Sequence, residues 1–190
     1  MPGPDASLLA IVGRLIDVLE PSGASYAFGG AIALAAWSEP RATADIDVIL
    51  WIDPLSVDRA IDLVSQAGVA VERDVAQLAA RDRGLFVGHA GSVRVDVFVP
   101  SIPFYDEAER RRVRTVIAER STWIHSAEVL AVFKMLFFRP KDLVDVERML
   151  EVRGADFDRG FVRDSLIAML GDDERIARWD VACAKVTAGT

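Results

Sequence analysis

Two short runs of this sequence restrict the possible folds more than anything else in it. They are Asp45-Ile46-Asp47-Val48-Ile49-Leu50-Trp51-Ile52 and Val93-Arg94-Val95-Asp96-Val97-Phe98-Val99, β-branched stretches with acids set inside them. A strand alternates its side chains between two faces at about 3.3 Å per residue, so Asp45 and Asp47 leave the chain on one side. Ile46 and Val48 then point the other way, into a core. Asp96, flanked by Val95 and Val97, repeats the pattern. A carboxylate inside such a run is costly unless something partners it. The chain is therefore expected to build a sheet with one apolar face and one face that collects charge, which excludes an all-helical protein.

The rest of the first hundred residues supplies the elements around those strands. Apolar positions at helical spacing run over 5–20 and stop at Pro21-Ser22-Gly23. Tyr26-Ala27-Phe28 reads as a short strand leading into Gly29-Gly30, and Ala31 to Trp37 as an uncharged, buried helix broken at Pro40. A helix is expected from Val57 to Ala67, an edge strand at Val69-Ala70-Val71 and a short helix from Asp74 to Arg83. Leu85-Phe86-Val87 then pairs with the Val93–Val99 run as a hairpin about Ala90-Gly91-Ser92. From about residue 106 onward the pattern predicts helices only, at 127–138, 140–152, 158–170 and 172–186, with Ser126 as an N-cap and Pro140 opening the second. The fold class is α+β: a small mixed four-stranded sheet flanked by helices over 1–105, followed by a helical bundle over 106–190.

Composition bounds the function. With 190 residues, 52% of them hydrophobic, the chain can bury a proper core. The single cysteine, Cys183, excludes an internal disulfide and fits a reducing cytoplasm. No stretch approaches the roughly 20 apolar residues that span a bilayer, and Met1-Pro2-Gly3-Pro4-Asp5 does not open as a secretory signal, so a soluble cytoplasmic protein is expected. A net charge of −7 argues against a general nucleic-acid coat, but not against a local basic groove. Arg110-Arg111-Arg112-Val113-Arg114 is the only concentrated positive charge, and it reads equally as a phosphate-backbone grip or a solvated helix start. His89 and His125 have no second His or Cys at zinc spacing, and Cys183 has no adjacent base.

Asp45 and Asp47 repel one another unless a cation lies between them, and hard oxygen donors suit Mg²⁺ or Mn²⁺. If Asp96 joins them, the three can hold a metal pair of the kind used for in-line phosphoryl transfer. Gly29-Gly30 closes a strand and opens a helix, where a backbone can approach phosphates and helix amides can face them. Each fragment alone is an ordinary turn or strand end. In this order they describe a phosphate cradle and a metal site separated by one helix. Lys134 lies in the apolar run Val129–Phe138 and requires an anionic partner there, unless its stem carries the ammonium out to solvent. Asp142 and Asp145 fall on one face of the helix that follows, with Lys141 and Arg148 as possible ion-pair partners.

The order Gly29-Gly30, a buried helix, Pro40-Arg41-Ala42-Thr43-Ala44-Asp45-Ile46-Asp47 and later Val95-Asp96-Val97-Phe98 resembles the nucleotidyltransferase fold of the DNA polymerase beta superfamily. Lys134 and the Asp142-x-x-Asp145 pair are similar to later motifs of its AbiEii/AbiGii toxin-like branch. The resemblance spans roughly 24–150. It implies Gly29 and Gly30 on a nucleoside triphosphate, Asp45, Asp47 and Asp96 on Mg²⁺, and Asp96 also activating the acceptor hydroxyl. It further implies Lys134 on phosphate and Asp145 as a distal catalytic acid. Arg41 is then a phosphate ligand or an ion-pair partner, and Thr43 ties the turn before the strand. Two positions depart from the pattern: Gly30 stands where many relatives carry serine, and Trp37-Ser38-Glu39 where a small residue precedes the proline. The activity implied is transfer of a nucleoside monophosphate to RNA, a tRNA 3′ end, by the toxin of a toxin–antitoxin pair. The alternatives are a lincosamide, an aminoglycoside or a protein hydroxyl as acceptor, and a non-catalytic nucleotide- or partner-binding module.

Overall fold

The computed structural model describes residues 7–188. The expected start of the first helix at Asp5 and the Met1–Asp5 reading lie outside the described residues. The chain divides into two compact units: residues up to Ile32 with Ala42–Ile124, and Ala33–Arg41 with the chain from His125 onward.

The first unit is built on a sheet of six strands, β1 (Tyr26–Phe28), β2 (Asp45–Leu50), β3 (Leu85–Ala90), β4 (Val93–Phe98), β5 (Val113–Ile117) and β6 (Arg120–Ile124). Their order across the sheet is β3-β4-β2-β1-β6-β5. β2 runs parallel to β4 and β1 parallel to β6, while the other neighbours are antiparallel. The predicted alternation is realised. Tyr26, Phe28, Ile46, Val48, Leu50, Phe86, Val95 and Val97 are all buried on one face. Helix α1 (Leu8–Leu19) lies on that side, where Asp17 pairs with Arg120 and Glu20 accepts the Tyr26 hydroxyl proton at 2.7 Å. Its apolar stripe of Ile11, Val12, Leu15, Ile16 and Leu19 is buried, and α3 (Val57–Gln66) packs beside it. Burial of such side chains contributes roughly 1.5–3 kcal/mol each before entropy is counted.

The sheet differs from expectation in two places. The predicted edge strand over Val69-Ala70-Val71 is a single antiparallel bridge, Ala70 to His89. Helix α4 (Arg73–Arg83) follows too closely for a longer pairing. The second difference is larger, because 106–124 is not purely helical. After the seven-residue α5 (Phe104–Arg110), β5 and β6 form a hairpin that adds two strands to the expected four. Its turn residues Ala118 and Glu119 have φ of +49° and +62°, which two-residue hairpin turns demand and Asn-Gly usually supplies. Ala-Glu is a helix-forming pair and hides the turn.

The second unit contains the end of α2 (Gly30–Trp37), then α6 (Ala127–Phe137), α7 (Pro140–Arg153), α8 (Arg159–Leu170) and α9 (Glu174–Ala188). Ser126 caps α6 by accepting the Val129 amide at 3.2 Å, and Asp158 caps α8 by accepting the Phe161 amide at 2.9 Å. Trp179, buried against Phe157, anchors a core with Met149, Leu150, Val162 and Leu166. Trp37 donates its indole N–H to the His125 carbonyl at 2.8 Å, so the bulky residue before Pro40 is a packing element of this unit.

Candidate active site

Asp45, Asp47 and Asp96 lie on the sheet face opposite α1. Parallel register sets Asp47 directly against Asp96 and Asp45 against Arg94. Asp45, Asp47 and Asp96 therefore share one face on adjacent strands, all three half-buried. Thr43 fixes the approach to β2: its hydroxyl accepts the Asp45 amide at 3.2 Å and donates to the Asp45 carbonyl at 3.1 Å. At the other side of β2, the Gly29 amide donates to the Asp47 carbonyl at 2.9 Å and carries the β1–β2 ladder one step further. That bond sets Gly29-Gly30 and the start of α2 beside Asp47.

Gly30 explains its own departure from the serine pattern. Its φ is +52°, and a Cβ built there would stand 1.8 Å from Asp47 Oδ2 and 2.6 Å from Asp47 Cγ. The space that a serine would fill belongs to the Asp47 carboxylate. The donor chemistry at this face, three carboxylates on neighbouring strands, fits a hard divalent cation. Among the described residues no three His, Cys, Asp or Glu side chains stand as a ready-made metal cage. Asp96 is turned to Arg94, whose Nε donates to Asp96 Oδ1 at 2.8 Å.

Arg41, Lys134 and Asp145 meet in the second unit. Lys134 is 4% exposed, so it is not a surface lysine reaching water. Its Nζ lies 2.6 Å from Asp145 Oδ2 and 3.6 Å from Asp142 Oδ1. Arg41 donates to the same Asp145 carboxylate through Nε at 3.2 Å and its terminal nitrogen at 3.1 Å. Burial pushes the Asp145 carboxyl up, but the hydrogen bonds and charges of Arg41 and Lys134 outweigh it and hold it below the usual carboxylate range. Asp142 pairs with Arg139 at 2.6 Å, rather than with Lys141 or Arg148. It also accepts the Arg139 amide and so helps cap α7.

The arginine tract is largely neutralised within the protein. Arg110 and Arg111 both bind Glu107, and Arg114 binds Glu20. Arg112 donates to the carbonyls of Tyr26 and Glu109, and its guanidinium stacks 5.2 Å from Trp51 and 4.9 Å from Trp123. Trp51 and Trp123 do not stand out in the sequence as partners of the arginines, since only the β5–β6 hairpin brings Trp123 there. A cavity of about 500 Å³ beside this stack is lined by Asp106, Glu109, Arg110, Arg112 and Trp123. His89 is exposed, His125 packs against Phe133, and burial pushes the Cys183 thiol up, consistent with a packing role.

A profile of the family described as nucleotidyl transferase AbiEii toxin, type IV TA system, matches residues 14–182. The chain belongs to this family. It is thus a nucleotidyltransferase, as the Gly-Gly and Asp-x-Asp motifs imply. Solved structures share the fold at low identity. A crystal structure of ANT(2″)-Ia in complex with adenylyl-2″-tobramycin aligns with a TM-score of 0.60 and 15% identity, covering 86% of this chain and 99% of that one. A solution structure of the same antibiotic-resistance factor gives 0.59 and 14%, covering 98% and 94%. The lincomycin-bound lincosamide antibiotic adenylyltransferase LnuA gives 0.50 and 15%, covering 75% and 96%. No curated protein matches the chain. Among the described residues no helix is long and apolar enough to cross a membrane.

Proposed function

We propose that this AbiEii-family chain is a Mg²⁺-dependent enzyme that moves a nucleoside monophosphate from an NTP to an RNA 3′ end, such as that of a tRNA. In this reading it acts in the cytoplasm as the toxin of a pair whose antitoxin is its protein partner. The observation that carries the reading is the register pairing of Asp47 with Asp96, with Asp45 on the same face and Gly30 stripped of any side chain beside them. Asp45, Asp47 and Asp96 are the residues that would hold the divalent cation. Mg²⁺ or Mn²⁺ would neutralise the charge developing on the phosphoryl oxygens.

The chain's own contribution is positioning. Gly29 and Gly30 let the backbone approach the triphosphate, and the amides at the start of α2 face it. The acceptor hydroxyl oxygen forms a bond to the α-phosphorus and the bond from that phosphorus to the pyrophosphate oxygen breaks. Asp96 accepts the hydroxyl proton, and pyrophosphate leaves. By resemblance Lys134 binds phosphate and Asp145 acts with it. The ion pair these two make balances the lysine's charge inside the helical unit.

A cationic small molecule as acceptor is the second reading. The neutralised arginine tract favours it. One assay separates the two: Mg²⁺, each α-³²P-labelled NTP and total RNA, with Asp45→Ala/Asp47→Ala as control. Label in an RNA band that the variant does not produce supports the RNA acceptor and identifies the base. Label appearing only when an aminoglycoside or lincosamide is supplied selects the second reading. NTP turnover equal in the variant sinks the carboxylate assignment.

A further inference from the structure

Arg94 occupies a position that neither the motif nor the reaction scheme uses. Two rows cross the charged face of the sheet. His89, Arg94 and Asp45 lie side by side on β3, β4 and β2, and Val87, Asp96 and Asp47 form the next row. Because Arg94 and Asp96 are two residues apart on one strand, they share a face, and Arg94 Nε bonds Asp96 Oδ1. Arg94 is 48% exposed and Asp96 only 16%. The acid is thus held in place by a central strand, while its cation sits on a long stem that can swing into water.

Three carboxylates on one face repel one another, and the Arg94 guanidinium on Asp96 relieves part of that repulsion. A divalent cation drawn to Asp47 and Asp96 competes for the same Asp96 oxygen and repels the guanidinium. The planar guanidinium fork is itself suited to paired phosphate oxygens. We infer that Arg94 is a built-in counter-ion of the carboxylate face: a divalent cation displaces it from Asp96, and the released guanidinium then takes a phosphate of the substrate. The inference rests on the reading that Asp45, Asp47 and Asp96 receive that cation. It makes metal entry and phosphate capture consecutive steps, and it makes Arg94 a substrate-binding residue of this chain.

The full chain, labelled with ¹⁵N at arginine and at the backbone, provides the test. The Arg94 Nε–H resonance, identified by its loss in Arg94→Gln, should leave its bonded position when Mg²⁺ is added. It should reach the position it has in Asp96→Asn without metal, and shift again on addition of inorganic pyrophosphate. Arg94→Gln should bind Mn²⁺ more tightly by calorimetry, by roughly twofold to fivefold, the scale of one half-exposed ion pair. The same variant should bind Mg²⁺-pyrophosphate more weakly. Mg²⁺ that shifts the Gly30 and Asp47 amides while leaving Arg94 Nε where it was overturns the inference and spares the cation site. If Mg²⁺ moves none of the three, the cation reading fails and the inference fails with it.

Discussion

Asp47 and Gly30 share one small volume, and the consequences of changing either can be separated. Asp47→Ala alters a half-buried position on the charged face and not the apolar core, so nucleotidyl transfer should be lost while the chain still folds. Gly30→Ala asks the chain to place a Cβ 1.8 Å from Asp47 Oδ2 at a φ of +52°. The backbone part costs about 1–2 kcal/mol, and the carboxylate must turn away. Turnover should therefore fall far more than stability, which paired melting and transfer assays will show. Lys134→Ala behaves in the opposite way. It leaves Asp145 and Asp142 buried with Arg41 and Arg139 as their remaining cations, at a cost of about 3 kcal/mol. Urea denaturation checks this, and nucleotide affinity then has to be read where the variant is still folded. Of these residues, the acids, the glycines and the need for a partner or a route to solvent at Lys134 were legible in the sequence, because burial of charge demands compensation wherever it occurs. The identity of that partner was not legible although Asp145 stands only 11 residues on, because the packing of α6 on α7 decides which acid faces the lysine, and Arg41 joins the pair from 104 residues away.

Among the elements, the β5–β6 hairpin departs most from what the sequence suggested. Val113-Arg114-Thr115-Val116-Ile117 alternates as a strand should, but it follows an arginine run and ends in Ala118-Glu119, a pair that favours helix. Tertiary pairing with β1 and the burial of Thr122 and Ile124 override that preference. The left-handed turn stores a penalty that glycine would relieve. Glu119, exposed with φ +62°, is the place to relieve it. Glu119→Gly should raise stability by about 1 kcal/mol, some 2–4 °C in thermal midpoint for a chain of this size. A fall in the midpoint would show that the turn is not strained. The helices of the second unit were legible because their caps and breakers are local: Ser126 and Pro140 each act within one turn.

For the whole molecule, stability should narrow at both ends of the pH scale, for different reasons. Asp145 has a folded pKa below its unfolded value, so its contribution is present above the unfolded carboxylate range and disappears as pH falls through the folded value. Acid unfolding should thus have a component below about pH 4 that Asp145→Asn removes. Tyr26 is pushed up to about 12, first by burial and then by its bond to Glu20. Its phenol stays protonated in the fold where the unfolded chain has begun to ionise. That stabilisation is complete below about pH 10 and disappears between pH 10 and 12. Denaturation followed across that interval should show the loss, and Tyr26→Phe should flatten it.

By itself the sequence determined what local geometry and solvation can determine. Strand alternation placed Asp45 and Asp47 on one side, glycine freedom marked Gly29-Gly30 as the strand-to-helix turn, and the apolar run around Lys134 left two outcomes, an anionic partner or a stem reaching solvent. Tertiary structure decided the register that sets Asp96 against Asp47 rather than one residue away, and the hairpin that completes the sheet beyond β1. It also decided the two ion pairs, Arg94 with Asp96 and Lys134 with Asp145, that hold the charges of the two clusters. The physical reason is one of range. Periodicity and backbone preference act over a few residues, whereas a one-residue slip in strand pairing reverses every face and is resisted only by the core that distant segments build together.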